Sequence, residues 1–316
     1  MKILFVWPGL TGYMGDCWRE LVGRSGVELK VAVDLGDMHY GSGFSAADVM
    51  RGLDWGEKMP DGWRPDTAFI VGWHNGLCRS AAMSAMLDRV PKVCCFDMPW
   101  EWRLRKFAAR FVLHSYLRRF AAAYIPGAAS RPYAKWLGFK RIYEGLFSTD
   151  MSRFRSVSRA GGAEGFLYVG RESSEKGIDE LRAAYSLYRE RGGKWDLRIV
   201  NGVSPVELGA VYGSAGAFVL ASRWEPWGVV LAEAAGAGLP IICTDRCGAR
   251  HEVVRDGVNG RIVRAGCVRE LADAMAEVES GMFDGSIGKS LAAKYGCSPW
   301  ADRVLEICRE LTCSKG

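Results

Sequence analysis

Histidine is scarce in this chain, four residues in 316, which argues against a zinc site. The ten cysteines run from Cys17 to Cys313 without a single CxxC pair. A disulfide framework and a dithiol redox centre are therefore disfavoured, and the thiols read as small buried hydrophobes in a reducing compartment. No apolar run approaches the ~18 residues that a membrane-spanning helix needs. After Met1-Lys2 the apolar stretch Ile3 to Trp7 stops at Pro8-Gly9, too short for a signal-peptide core and lacking a cleavage site, so it is expected to be a first buried strand of a cytoplasmic protein. No fixed-period repeat occurs. With 49% hydrophobic and 25% charged residues, a disordered or collagen-like chain is excluded as well.

Glycine and tryptophan are plentiful, at 39 and 12 residues. The first permits tight strand-to-helix turns, and the second offers flat faces for packing or for sugars. A formal charge of +6 suits an anionic partner without demanding one. Short apolar runs ending at Gly, Asp or Asn alternate with helical periodicity, the pattern of parallel strands joined by crossover helices. Strands are predicted at Ile3 to Trp7, Glu28 to Val33, Thr67 to Val71 and Lys92 to Phe96, with shorter ones near Ala123 and Ile142. Helices are predicted at Asp16 to Val22, Gly76 to Arg89 and Glu101 to Phe120. The polar stretch Ser148 to Gly165 reads as a linker. Beyond it a second series runs through Phe166 to Val169, Leu197 to Val200, Ala217 to Leu220, Pro240 to Thr244 and Gly260 to Val263. The length fits two α/β domains, each doubly wound, whose facing strand ends would form a ligand cleft. The expected boundaries are 1–155, 156–296, and a C-terminal helix over 297–316 packing back towards the first domain.

The segment Ser222-Arg223-Trp224-Glu225-Pro226-Trp227-Gly228-Val229 follows a buried strand and opens a helix. Its unpaired N–H groups and partial positive charge would seat a diphosphate, and Gly228 would let a ligand approach the backbone. Glu225 and Glu233 stand eight residues apart, roughly 12 Å if the span were wholly helical, so each carboxylate could hold one ring of a nucleotide-sugar. Taken alone, the spacing fits equally a dipole-favoured Glu and an unrelated surface Glu. Phe166 to Arg171 followed by Lys176-Gly177 places two cations in the loop at the carboxyl end of a strand, suited to a departing diphosphate.

These residues resemble the donor-binding domain of the retaining GT-B glycosyltransferases of group one, glycosyltransferase family four. The resemblance rests on Val169-Gly170-Arg171 with Lys176-Gly177, the Glu-x7-Glu pair Glu225 and Glu233, Gly238-x-Pro240, and Gly248 to Glu252 followed by Gly257 to Gly260. It implies two Rossmann-like domains and transfer of a sugar from a nucleoside diphosphate donor, a UDP-sugar being favoured, with retention and with neither metal nor other cofactor. It implies that Arg171 and Lys176 bind the diphosphate, Glu225 the sugar and Glu233 the ribose, with Gly170, Trp227, Gly228 and Val229 lining the donor. More loosely, Gly9 to Gly15 resembles the family's glycine-rich loop, with Gly12 meeting the phosphate across the cleft. The family's N-domain His has two candidate substitutes, Asp97 and His74, and Trp100 is a candidate acceptor contact. Between Val200 and Ala217 the chain is shorter than the family pattern, which leaves the base poorly specified.

The segment Trp102 to Phe120 predicts a basic amphipathic helix with 103, 106 and 110 on one face. It is either a core-packed helix with a solvated basic face or a contact with the inner face of the membrane or a lipid-linked acceptor. The acceptor implied is a glycan or lipid-linked sugar in envelope or polysaccharide synthesis. A noncatalytic nucleotide-sugar or glycan-binding subunit is the second reading, and a DNA-modifying glucosyltransferase a weaker third, nucleic acid being a disfavoured partner. Two look-alikes are rejected: Gly285 to Ser290 lacks the first glycine and preceding strand of a phosphate loop, and Gly41 to Ala46 lacks the context of a dinucleotide fingerprint.

Overall fold

The computed structural model describes residues 1–37, 45–155 and 164–313. The glycines of the Gly41 to Ala46 look-alike and residues 156–163 of the linker lie outside them. The described chain divides into two compact units, one of residues 1–149 with 297–313 and one of residues 150–296. The division falls at Thr149/Asp150, six residues before the boundary expected from sequence.

The first unit carries a parallel sheet with β1 Lys2–Trp7, β2 Glu28–Val33, β3 Asp54–Gly56, β4 Thr67–Val71, β5 Lys92–Cys95, β6 Ala122–Ile125 and β7 Ile142–Glu144. The order is β3-β2-β1-β4-β5-β6-β7. Alternation along β1 sends Ile3, Phe5 and Trp7 to one face and Leu4 and Val6 to the other, and both faces are buried, which is why the strand reads as a continuous apolar run. The first face is covered by helix Gly12–Val22 and by the C-terminal helix Cys297–Cys313. Trp300 lies fully buried there, its ring 5.6 Å from Phe5, its indole N–H donating to the Leu146 carbonyl at 2.9 Å. The Cys17 and Cys297 sulfurs lie 3.4 Å apart beside it.

Where one long helix is expected over Glu101 to Phe120, two occur, Leu104–Val112 and His114–Leu117, parted at Leu113. Nor do positions 103, 106 and 110 form one solvated face. Lys106 is buried, with its ammonium 2.8 Å from the Pro99 carbonyl and 3.0 Å from Glu101. A cation so satisfied points inward.

The second unit holds β8 Phe166–Val169, β9 Leu197–Val200, β10 Ala217–Leu220, β11 Ile241–Thr244 and β12 Gly260–Val263, all parallel, ordered β12-β11-β10-β8-β9. Helix Pro205–Gly213 follows β9 directly and leads into β10. Helix Val229–Ala237 is buried from Leu231 to its end. Apart from Glu233 it is apolar all round, as suits a helix packed on both flanks. A Cβ on Gly236 would lie 2.8 Å from the Met151 sulfur, and one on Gly288 3.1 Å from the Ala235 Cα. The Gly285 to Ser290 look-alike thus opens helix Ile287–Ala292, whose glycine permits close packing on helix Val229–Ala237.

Trp300→Ala is expected to destabilise the protein by about 3–5 kcal/mol, seen as a lower urea midpoint by circular dichroism. Trp300→Phe should cost less while leaving the Leu146 carbonyl without its donor. An alanine variant melting at the wild-type midpoint would contradict this account of the C-terminal helix.

Candidate functional site

The loop after β8 turns twice on glycine. Gly170 has φ +150°, and Gly177, after the 3-10 turn Ser174–Lys176, has φ +66°. At Gly177 a side chain has no room either, since a Cβ would lie 2.1 Å from the Ala221 carbonyl oxygen. The loop after β8 therefore rests directly on the loop after β10. The Glu175 carbonyl accepts from the Arg223 and Trp224 amides at 2.9 and 3.3 Å. The Arg223 guanidinium grips Glu180, its Nε 2.7 Å away, and this bond holds the Glu180 carboxyl below its ordinary pKa. The consequence is that Lys176 reaches Glu225, Nζ to Oε2 2.5 Å, with both side chains largely withdrawn from solvent.

Glu225 is held on its other side by the loop after β11. Its amide donates to the Arg246 carbonyl at 3.2 Å, and its carbonyl accepts from Gly248 at 2.9 Å. Gly248 has no space for a Cβ, which would lie 2.0 Å from the Pro226 oxygen. Gly228, with φ +91°, lets the chain turn beneath the Glu225 side chain and into helix Val229–Ala237, where no side chain caps the first turn. That turn presents unpaired N–H groups and a partial positive charge beside a carboxylate and an ammonium. Only the stretch from Val229 onward is helical, so Glu225 and Glu233 are not two points on one continuous helix.

The remaining donor-side candidates fall into two groups. Arg171 is exposed and paired with Glu175 at 3.2 Å; its carbonyl accepts from the Tyr168 hydroxyl at 2.7 Å. Burial, and then the negative charge of Glu225 ahead of that of Glu172, push the Tyr168 phenol well above its ordinary pKa, while Arg171 opposes the shift. Arg171 and Glu225 thus act on the same hydroxyl. Glu233 is buried and accepts from the Tyr212 hydroxyl at 2.9 Å. Trp227 is buried too, its ring 5.2 Å from Tyr295 and its indole N–H without a hydrogen-bond partner. Val229 remains half-buried at the helix start.

In the first unit, Gly12 is the first residue of helix Gly12–Val22, which also lacks a side-chain cap. His74 is exposed after β4. Partial desolvation, then the charges of Arg105 and Arg79, lower its pKa. Its neighbour Asn75 is fixed by donating to Asp34 at 2.8 Å and by capping the Cys78 amide. Asp97 follows β5, and its carbonyl accepts from Ser130 at 2.9 Å. Trp100 is half-buried, with ring centroids 5.5 Å from Trp102 and 5.4 Å from Trp136.

Sequence reasoning passed over Tyr168, Tyr212, Ser173 and Ser222. The Ser173 and Ser222 hydroxyls are buried without a hydrogen-bond partner, a feature they share with the Trp227 indole N–H and with atoms away from this loop such as the Trp18 indole N–H. Ser222 could have been found from its place just past a buried strand; nothing in spacing ties Tyr212 to Glu233. Among the described residues no group of three or more His, Cys, Asp or Glu could hold a metal ion, and no helix is long and apolar enough to cross a membrane.

Residues 196–282 match the family model of the group 1 glycosyl transferases. Spore coat protein SA of Bacillus subtilis is 25% identical over 259 residues, 70% of this chain and 65% of its own, so the chain spans slightly less than two thirds of that relative. A glycosyltransferase of Rickettsia africae superposes with a TM-score of 0.74 at 12% identity, covering 98% of each chain. An Anabaena protein crystallised with UDP and glucose does so with a TM-score of 0.66 at 14% identity, covering 98% of this chain and 100% of its own. The chain thus has the α/β GT-B fold of two Rossmann-like parallel-sheet domains, and its second unit carries the group 1 signature.

Gly177→Ala should cost about 1–3 kcal/mol more than Gly257→Ala, measured by urea denaturation. Both glycines have positive φ, but a Cβ at Gly257 meets nothing within 4 Å, so the difference isolates the clash with the Ala221 carbonyl. Equal costs would mean that the two loops do not depend on this contact.

Proposed function

We propose that the protein transfers a sugar from a nucleoside diphosphate sugar, a UDP-sugar in preference, to a glycan or lipid-linked acceptor, with retention at the anomeric carbon. The observation that carries this reading is the Lys176–Glu225 pair set before the uncapped first turn of helix Val229–Ala237. A donor needs both signs of charge at that point. The carboxylate accepts hydrogen bonds from sugar hydroxyls, while the ammonium and the helix N–H groups hold the diphosphate. The match of residues 196–282 to the group 1 model supports it, as does UDP with glucose in a protein of the same fold.

In the reaction the bond from the anomeric carbon to the phosphate oxygen breaks, and a bond to the acceptor oxygen forms on the same face. The acceptor proton passes to the departing diphosphate. Negative charge grows on the leaving oxygens as the bond stretches, so Lys176 and Arg171 stabilise the transition state more than the bound donor. Glu225 orients the sugar rather than attacking it, since Lys176 already binds its carboxylate. Glu233, fixed by Tyr212, holds the ribose. The place of action is the inner face of the cytoplasmic membrane, in envelope or polysaccharide synthesis, with residues 102–120 as the membrane contact. No metal is required by this scheme.

Glu225→Ala and Arg171→Ala are each expected to lower transfer and donor hydrolysis at least ~100-fold, the scale of one lost electrostatic stabiliser, with little change in Tm for the exposed Arg171 and a lower Tm for Glu225→Ala, which leaves the Lys176 ammonium without its partner. A panel of UDP-, GDP- and ADP-sugars, scored by thermal shift and hydrolysis, identifies the donor. Wild-type turnover in both variants would overturn the assignment, and donor-dependent stabilisation without turnover for any acceptor would make the protein a binding subunit.

A further inference from the structure

Half of the large apolar side chains exposed among the described residues are gathered in one place. Of the ten large hydrophobic residues exposed among the described residues, five fall between Trp102 and Val112: Trp102 (87%), Leu104 (84%), Phe107 (42%), Phe111 (64%) and Val112 (76%). Leu104, Phe107, Phe111 and Val112 stand at i, i+3, i+7 and i+8, so they form one stripe along helix Leu104–Val112. The face that packs on the unit is narrower, made by Lys106, Ala109 and Leu113. A helix on the surface of a water-soluble domain ordinarily turns its apolar stripe inward. This one presents it outward.

Charge marks the same place. Residues 102–120 contain six of the 42 Lys and Arg residues and none of the 36 Asp and Glu residues. The rest of the chain therefore has 36 of each sign, and the whole formal charge of +6 belongs to this segment. Glu101 takes up Lys106 and Arg103, and Asp88 stands 3.6 Å from Arg119. Arg105, Arg110 and Arg118 are in no salt bridge among the described residues and are exposed beside the stripe. A cavity of about 740 Å³ opens at the end of the helix, lined by the cations Arg110, Arg118 and Lys140 and the apolar Phe111, Leu117 and Phe139. No carboxylate lines it.

We propose that helix Leu104–Val112 is a docking surface for an anionic phospholipid bilayer, its apolar stripe entering at headgroup depth while the adjoining cavity receives a lipid phosphate. Aromatic side chains such as Trp102 suit that depth, and unpaired arginines beside an apolar stripe match a surface that is negative above and apolar below. A second copy of this chain is a poor occupant, because it would set the same unpaired arginines against each other. The inference rests on the membrane placement proposed above and not on the chemistry of transfer.

The test is co-sedimentation of the full chain with vesicles, either phosphatidylcholine alone or phosphatidylcholine and phosphatidylglycerol in equal parts. Binding is expected only to the anionic vesicles and should weaken as salt is raised. Phe111→Glu with Val112→Glu should reduce it at least ~10-fold, and Arg118→Ala about fivefold, at unchanged Tm because all three side chains are exposed. Wild-type protein that stays in the supernatant at low salt overturns the proposal, as does undiminished binding by the double variant. Stabilisation by inorganic phosphate without vesicle binding overturns it in favour of a free anion. A dimer in gel filtration, abolished by the same substitutions and indifferent to vesicles, overturns it in favour of self-association. Thermal shift of the wild-type protein with donor separates the two readings: donor stabilisation in a protein that stays off anionic vesicles refutes the surface alone.

Discussion

The donor-side arrangement depends on one close approach, the backbone of Gly177 against the carbonyl of Ala221. Both loops leave the carboxyl ends of adjacent parallel strands, β8 and β10, so topology brings them near; the missing Cβ lets them touch. Once they touch, the Arg223 and Trp224 amides find the Glu175 carbonyl, and Lys176 and Glu225 cannot avoid each other. Bringing two charges out of water is costly unless each satisfies the other. The pair therefore fixes the loops as much as the loops fix the pair. A diphosphate entering here would meet an ammonium already oriented and partly desolvated, where its field is stronger than at an exposed site.

Helix Val229–Ala237 supplies the other fixed point, by a different device. It is built of Val, Leu, Ala and Gly apart from Glu233, residues small enough for neighbours to approach its backbone closely on two flanks. A helix wedged in this way can neither slide nor rotate, and its N-terminal N–H groups keep one direction. Glu233 is the polar exception, and Tyr212 answers it from the helix that follows β9. The carboxylate oxygen it engages is thereby positioned by a buried phenol whose acidity is suppressed by burial and then by Glu233 itself.

Much of the sheet architecture was legible because parallel strands buried on both faces are short continuous apolar runs closed by turn residues. Glu28–Val33 and Thr67–Val71 stand where the pattern puts them. The donor loop was legible for another reason: Gly170, Gly177, Gly228 and Gly248 each meet a backbone demand that other residues meet poorly, so their order along the chain carries the geometry. Periodicity failed at Trp102 to Phe120. It tells which residues share a helix face but not which face turns inward. There the buried position went to Lys106, because the Pro99 carbonyl and Glu101 could satisfy its ammonium, while Leu104 and Phe111 stayed outside.

The inversion at Leu104–Val112 also changes what the net charge means. Spread evenly, +6 on a chain of this size would speak only to solubility and to weak attraction for any polyanion. Concentrated beside an apolar stripe, the same charge distinguishes a lipid surface from a nucleic acid, since a phosphate backbone gives exposed Leu and Val no place to go. The donor-side cations are excluded from this excess, Lys176 being neutralised by Glu225 and Arg171 by Glu175. In the readings proposed above the two features would answer to different ligands, one held by paired charges that a diphosphate would redistribute, the other by arginines in no salt bridge beside an apolar stripe.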